Sequence, residues 1–231
     1  RANAGETLQV SGTARHLQTQ QIAYREFHQI DSTTHNVRYT TADGQTIASK
    51  QIDYTRGLNT PLYSLHDQRF GRRTGNQWLD NHFSIYRQTA GHSPQQKNVR
   101  PAADLVIDAG FDHYVREQWP RLQAGETVPF DFIVADPLVK LHMQLVAVNP
   151  AQSAIRPTNP AHCHFKASSR NRLIGWAIPD IHLAYDCQQR LLQVYRGPSN
   201  LTDNNNRSQQ VVIEYQYSAA DPTFHQGDTP P

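Results

Sequence analysis

The sequence is poor in charge and in long apolar runs, and each shortage excludes a class of protein. Only 18% of the 231 residues are charged, and the formal net charge is +2 with arginines scattered among acids, so we expect no nucleic-acid partner. No run of about 18 apolar residues occurs, so we expect a chain that does not span a membrane. The motifs of nucleotide-binding loops, zinc proteases and serine hydrolases are also missing.

Cysteine is scarce too, since the chain holds only Cys163 and Cys187. In an exported protein an even pair suggests one disulfide, and the alternative is two separate buried thiols. His162 and His164 flank Cys163, and with Cys187 they offer zinc-ligand chemistry. Their spacing matches no standard zinc module and the segment is rich in proline, so we predict no metal and no cofactor.

One helix followed by a hairpin is the clearest pattern that is present. Apolar residues at Phe111, Val115, Trp119 and Leu122 fall on one stripe of an α-helix, and Gly125 is placed to end it. Apolar and polar residues then alternate over 128–134 and again over 139–147, which predicts a β-hairpin with one apolar face.

The remaining chain alternates in short runs that are typical of strands. In the second run Glu26 and His28 point to one side and Arg25 and Phe27 to the other. Three prolines exclude a central strand from 149–165, which we interpret as a long loop or an edge excursion. The predicted strands cover 6–17, 20–30, 35–41, 45–55, 62–70, 78–89, 174–186, 191–196 and 210–218.

About ten antiparallel strands cannot lie flat, because twist accumulates across a sheet. We therefore predict a mainly β (α+β) fold: a single strongly curved antiparallel sheet that forms an open or half barrel, with the one amphipathic helix packed on its concave side. No internal repeat or linker divides the chain, so 1–231 is expected to be one domain with flexible ends at 1–5 and 219–231. The opening RANAGET lacks Met and is typical of an exported, periplasmic protein whose signal peptide has been removed.

Three stretches carry a resemblance to a known family. They are IAYREFHQI with VRYTTADGQTIASKQIDY near the start, FDHYVREQWPRLQAGETVPFDF in the centre, and IPDIHLAYDCQQRLLQVYRGPSNLTDNNNRSQQVVIEYQY near the end. Together they resemble an uncharacterised family of exported proteins in Gram-negative bacteria, which is itself similar to the periplasmic open-barrel lipoprotein carriers LolA and LolB. The resemblance implies an unclosed barrel with a helix against its mouth and a hydrophobic cavity between them.

The function follows from this architecture rather than from a motif. We predict a periplasmic binding or carrier protein for an apolar or lipid-like ligand, with no chemistry and no catalytic residues. The candidate contacts share large apolar or aromatic side chains, which either form the core or line a gap of a few hundred Å³. They are Phe111, Val115, Trp119, Phe130, Phe132, Met143, Trp176 and Tyr215.

Two alternatives belong to other functional classes. An envelope assembly or structural factor would bind an envelope protein partner through an open sheet edge, which 149–160 would guard or expose. A hydrolase would need a spatially assembled site. The densest basic patch, Arg69, Arg72 and Arg73, is either a solvated loop or a phosphate or lipid-headgroup site, and Asp112 is expected to support the helix N-terminus.

Overall fold

A computed structural model describes residues 7–171 and 178–219 of the chain. Within these residues the chain forms fifteen strands, two α-helices and one short 3-10 turn. The strands are β1 (Leu8–His16), β2 (Ile22–Ile30), β3 (Thr34–Thr40), β4 (Thr46–Asp53), β5 (Leu62–Asp67), β6 (Arg72–Leu79), β7 (His82–Gln88), β8 (Gln95–Val99), β9 (Leu105–Ile107), β10 (Val128–Val134), β11 (Val139–Val148), β12 (His162–Ser169), β13 (Ile181–Asp186), β14 (Leu192–Pro198) and β15 (Gln210–Ala219). The helices are α1 (Gly110–Glu117) and α2 (Trp119–Gln123).

All fifteen strands belong to one sheet, in the order β8-β7-β6-β5-β4-β3-β2-β1-β15-β14-β13-β12-β11-β10-β9. Every pairing is antiparallel except the parallel pair of β9 with β10. Short turns between successive strands enforce this local order, as at Asp80 and Asn81, whose φ angles of 44° and 63° join β6 to β7. The first and last strands, β1 and β15, pair with each other, so the two edges of the sheet are β8 and β9.

The sheet is rolled so that its β9 edge lies inside the curl. Val106 packs in the core beneath the helices, whereas Leu105 and Ile107, which point the other way, pack in a second core with Phe83 and Val99 of β7 and β8. Both faces of β9 are therefore covered, one by α1 and one by the far end of the same sheet. Val99 is the only buried residue of β8, so β8 is the outer, solvent-exposed edge.

The predicted amphipathic helix packs on the concave side, but it is two helices rather than one. The pairing register puts Phe130, Met143 and Leu145 on the face that α1 and α2 cover. The break falls at Gln118. Pro120 has no N–H to donate to the carbonyl of Arg116, so the first helix cannot continue through it.

The predicted number of about ten strands was wrong, because several polar strands were interpreted as loops. β6 and β8 carry mostly polar residues, and the run predicted at 78–89 proved to span the end of β6, the turn at Asp80 and Asn81, and β7. β12 begins just after Pro160 and lies between β11 and β13. The proline-rich stretch 149–160 therefore joins two interior strands, as the long-loop alternative had it, and does not guard a sheet edge. The exclusion of a central strand from 149–165 was wrong for 162–165, which begin β12 after the last proline.

Two further predictions concern the second half of the chain. The disulfide between Cys163 and Cys187 is confirmed, with the two Cα atoms 5.2 Å apart. It ties β12 to the turn that follows β13, and neither sulfur is free to bind zinc. Of the strand predicted at 174–186, the structure has β13, while residues 172–177 lie outside the described part, as do 1–6 and 220–231.

Candidate functional site

Most of the predicted ligand contacts pack against one another beneath the helices. The rings of Phe111 and Phe130 are 5.4 Å apart, and the ring of Trp119 lies 4.9 Å from that of Phe165. Tyr215 lies instead in the other core cluster, and Trp176 is outside the described residues. A role in ligand contact stays a prediction for all eight. The members of the helix-covered group are Phe111, Val115, Trp119, Phe130, Phe132 and Met143.

A group of polar and aromatic side chains lies between the concave face and α1, and we call it the histidine–tyrosine cluster. Its members are Glu26, His28, His35 and Tyr54 from the sheet side and His113 from α1. Glu26 and His28 are two residues apart on β2, so they share a face. His28 lies opposite Val37 and His35 lies opposite Ile52. These registers place His28, His35 and Tyr54 diagonally across three neighbouring strands, within reach of one another.

Three short contacts connect four of these side chains in a row. His28 Nε2 is 3.0 Å from Glu26 Oε2, and His28 Nδ1 is 2.8 Å from His35 Nε2. His35 Nδ1 is 3.4 Å from the hydroxyl of Tyr54. The row starts at a carboxylate that is only 3% exposed and ends at a half-buried phenol.

Burial keeps the outer members of the cluster uncharged. It lowers the pKa of His35 to about 2, aided by the charges of His28, Lys50 and His113. Burial also lowers the pKa of His113, with Arg116 adding to the effect and Asp112 opposing it. Burial, with Asp112, raises the pKa of Tyr54. At neutral pH the imidazoles of His35 and His113 and the phenol of Tyr54 therefore form a neutral wall of hydrogen-bonding groups.

The polar side of α1 closes the cluster on the side opposite the sheet. The rings of Tyr54 and His113 meet edge to face at 4.8 Å. Asp112 accepts a hydrogen bond of 2.9 Å from the hydroxyl of Tyr185 and pairs with Arg116 at 2.6 Å. Asp112 thus connects α1 to β13. The prediction for Asp112 was only that it supports the helix N-terminus.

Two features of the strands position the cluster. Gly12 faces it from β1, where a Cβ atom would lie 3.0 Å from the ring of Tyr215 and 3.1 Å from Glu26 Oε2. A buried ion pair between Lys50 and Asp108 joins β4 to the end of β9. A missing side chain on β1 therefore lets Tyr215 and Glu26 pack closely, and a charge pair joins β4 to the end of β9.

The basic patch predicted at Arg69, Arg72 and Arg73 does not act as a unit. Arg69 pairs with buried Asp67 at 2.7 Å, and Arg72 pairs with Asp136 at 3.1 Å. Arg73 alone is exposed. Arg72 also lines an outer groove of about 450 Å³, and a second outer groove of about 580 Å³ crosses β3 to β7.

His164 and Cys163, which were considered for metal binding, each have another partner in the structure. His164 is buried and its Nδ1 is 2.8 Å from the Ser153 hydroxyl, and within residues 7–171 and 178–219 no group of three or more His, Cys, Asp or Glu side chains is placed to hold a metal. In that part of the chain the hydrogen bonds of His28 and His35 end at Tyr54, so no serine or threonine hydroxyl is positioned there as a nucleophile.

Part of the cluster was readable in the sequence. The alternation of β2 correctly placed Glu26 and His28 on one face, and His35 and Tyr54 fell within or beside predicted strands. Nothing in the sequence indicated that this face is the concave one, because polar residues on a strand ordinarily point to solvent. His113 was noticed beside Asp112 but was given no role, because it lies on the polar side of the helix, which ordinarily faces water.

Comparison with known proteins identifies the fold and nothing finer. No protein-family model matches the chain, and no curated protein matches it. The chain is similar to the crystal structure of a beta-barrel-like protein of a domain of unknown function, DUF1849, from Brucella abortus, with a TM-score of 0.55 and 6% sequence identity over 92% of this chain and 98% of that one. This supports an uncharacterised barrel-like fold, while the similarity to LolA and LolB stays a prediction. None of the helices among the described residues is long and apolar enough to cross a membrane.

Proposed function

We propose that this protein binds an apolar or lipid-like ligand in the hollow of its rolled sheet and carries it in the periplasm without altering it. The observation that carries the proposal is the histidine–tyrosine cluster, whose outer side chains are half-buried, aromatic and neutral. Small-molecule sites are typically concave and mostly apolar, with a few convergent polar groups that fix orientation. A wall of neutral imidazoles and phenols suits an uncharged polar end rather than a free anion.

The apolar part of the ligand would lie along the seam between α1 and the sheet. Tyr54 packs against one core and Phe111 lies in the other, and Tyr195 packs against both, so the two regions adjoin. The core beneath the helices is filled in this state, so entry requires α1 and α2 to move outward. The break at Gln118 favours such a movement, because two short helices are held by fewer mutual hydrogen bonds than one long helix.

The disulfide supports the proposed compartment. Structural disulfides persist in oxidising environments such as the periplasm and are rare in reducing cytosol. The bond between Cys163 and Cys187 fits an exported protein, and the barrel-like fold that the comparison identifies is compatible with a binding role.

Pairing through a sheet edge is less well supported. The exposed edge is β8, which has only five residues and places Lys97 at its centre. Short edge strands that carry lysine are a common means by which proteins discourage pairing. Carriage of a ligand within the curl therefore explains more of the described structure than an edge partner does.

Displacement of a fluorescent apolar dye by methyl laurate tests the proposal. Wild-type protein should bind the dye, and methyl laurate should displace it. Tyr54→Ala should weaken methyl laurate binding about tenfold, because it removes a ring and a hydroxyl from the proposed wall, a loss of about 1.4 kcal/mol.

Tyr86→Ala is the matched control, since Tyr86 lines the outer groove and not the hollow. It should bind methyl laurate as the wild type does. Absence of dye uptake by folded wild-type protein, or an equal loss in the two variants, would contradict a binding site in the hollow.

A further inference from the structure

The row of contacts from Glu26 to Tyr54 restricts where each proton can be. A carboxylate accepts only, so His28 must carry a proton on Nε2, 3.0 Å from Glu26 Oε2. Two imidazole nitrogens at 2.8 Å share one hydrogen, so either His28 Nδ1 or His35 Nε2 is the donor, and never both. The choice at this contact fixes the rest of the row.

When His28 is neutral, its Nδ1 is a lone pair and accepts from His35 Nε2. His35 is neutral too, so its Nδ1 has no proton and accepts from the hydroxyl of Tyr54. The hydrogen of Tyr54 then points back into the row. Only the lone pairs of its oxygen are left for a ligand.

When His28 gains a proton, its bond to Glu26 keeps its direction and the other two bonds in the row reverse. His28 Nδ1 now donates to His35 Nε2, so the single proton of His35 moves to Nδ1 and donates to the oxygen of Tyr54. The hydroxyl hydrogen of Tyr54 is released from the row and turns towards the hollow. One added proton has changed the outermost group from an acceptor to a donor.

We propose that the row Glu26–His28–His35 determines whether the hydroxyl of Tyr54 donates or accepts a hydrogen bond in the hollow. When His28 is protonated, the hydroxyl donates to the ester or other carbonyl oxygen of an apolar ligand. When His28 is neutral, this hydrogen bond is lost and the ligand binds more weakly. This inference rests on the proposed function, because it assigns the ligand class and the pH response of the same site. A carbonyl oxygen only accepts, so it needs the released hydroxyl of Tyr54.

The groups around His28 are compatible with this change. Glu26 lies beside it on β2 and balances an added positive charge, and the ring of Tyr215 on β15 meets it edge to face at 5.9 Å. Lys50 on β4 is the nearby cation, and it is paired with Asp108. His35 on β3 stays neutral throughout, because burial lowers its pKa to about 2.

Groups on α1 act at the other end of the row. The ring of His113 meets the ring of Tyr54, burial lowers the pKa of His113, and Arg116 Nη2 lies 3.3 Å from its Nδ1. The charges of Asp112 and Arg116 oppose each other in their effect on Tyr54 and form an ion pair. These groups act on Tyr54 at the end of the row, whereas His28 is bonded directly to His35 within it.

The proton positions can be measured without any ligand. In protein labelled with ¹⁵N at histidine, two-bond proton–nitrogen spectra should show the His35 proton on Nε2 at about pH 8 and on Nδ1 at about pH 5, with His35 neutral at both. A His35 tautomer that does not change with pH would overturn the inference while leaving the proposed function intact.

Ligand binding supplies the second test, with methyl laurate and tridecane as probes that differ in one ester group. From about pH 8 to about pH 5 the affinity for methyl laurate should rise about three- to tenfold, the worth of one hydrogen bond, and that for tridecane should stay constant. Tyr54→Phe should abolish this pH response and still bind tridecane. His92→Gln, an exposed histidine on the β7–β8 turn, should behave as the wild type.

The outcomes separate the two proposals. Equal pH responses of both probes, or a response of methyl laurate that persists in Tyr54→Phe, would overturn the switch while the binding site stands. If neither methyl laurate nor tridecane binds at any pH, the proposed binding function is overturned, and so is the inference about the ligand class.

Discussion

At the scale of single residues, His35 should make the stability of the fold depend on pH. Burial lowers the pKa of His35 from 6.5 to about 2. Below pH 6.5, His35 is therefore protonated in the unfolded chain and stays unprotonated in the folded chain. Stability is then fully present above pH 6.5 and falls as the pH drops towards 2. At pH 5, about 1.5 units below the ordinary value, the loss amounts to up to about 2 kcal/mol.

Urea unfolding at pH 7 and pH 5 measures this loss. His35→Gln should reduce the decrease in unfolding free energy between the two pH values by up to about 2 kcal/mol. A residual pH dependence should remain, because burial also lowers the pKa of His113, His164 and His182. An unchanged pH dependence in the variant would show that His35 is not held neutral in the folded state.

Residue types alone gave part of the candidate site. The alternation of β2 was sufficient to pair Glu26 with His28, because a strand puts every second side chain on one face. The contact of His35 with Tyr54 depends on the register between β3 and β4, which the Asp43-Gly44 turn helps to set. The approach of His113 depends on how α1 crosses the sheet, and no periodicity along one chain segment encodes that.

At the scale of elements, Trp119 should be the main anchor of the two helices. It is 4% exposed and packs edge to face on Phe165 and Tyr185. Trp119→Ala should lower the unfolding free energy by about 3–5 kcal/mol, through lost burial and a cavity that short helices cannot fill. Chemical denaturation followed by circular dichroism measures the loss.

Trp78→Ala is the control for ring size. Trp78 is half-buried on β6, where it contacts Phe83 and the guanidinium of Arg56, and its removal should cost about 1–2 kcal/mol. Equal losses in the two variants would mean that α2 is not anchored by Trp119.

The apolar stripe predicted this buried face correctly, whereas the break at Gln118 was missed because the stripe is continuous across it.

At the scale of the whole molecule, the curvature of the sheet was predictable and its roll was not. Many antiparallel strands with accumulating twist require a curved sheet, and a single amphipathic segment is enough to predict a covered concave face. The one signal for the roll is the run Leu105-Val106-Ile107, because consecutive apolar residues are typical of a strand that is buried on both faces. A run of three is too short to distinguish such a strand from a loop that crosses the core.

The roll brings distant parts of the sheet together at Asp136, which should act as a clasp. Asp136, in the β10–β11 turn, accepts from Arg72 at 3.1 Å and from Arg87 at 2.7 Å, so it joins the inner end of the curl to β6 and β7 near the outer end. Asp136 is 29% exposed, so each pair is partly screened. Asp136→Asn should lower the unfolding free energy by about 1–2 kcal/mol, because two guanidinium groups lose their common partner.

Where Asp136→Asn loosens the sheet is more informative than how much stability it loses. Hydrogen exchange in Asp136→Asn should accelerate in β8 and β9, the two ends of the sheet, and stay unchanged in β1 and β15 at its centre. Glu126→Gln is the control, since its pair with Arg121 is exposed and should contribute less than about 0.5 kcal/mol. Exchange that accelerates evenly across the sheet would mean that Asp136 stabilises its own turn and does not hold the curl closed. If β8 and β9 alone loosen, the contacts of Asp136 are those through which the outer end of the sheet restrains the strand beneath α1.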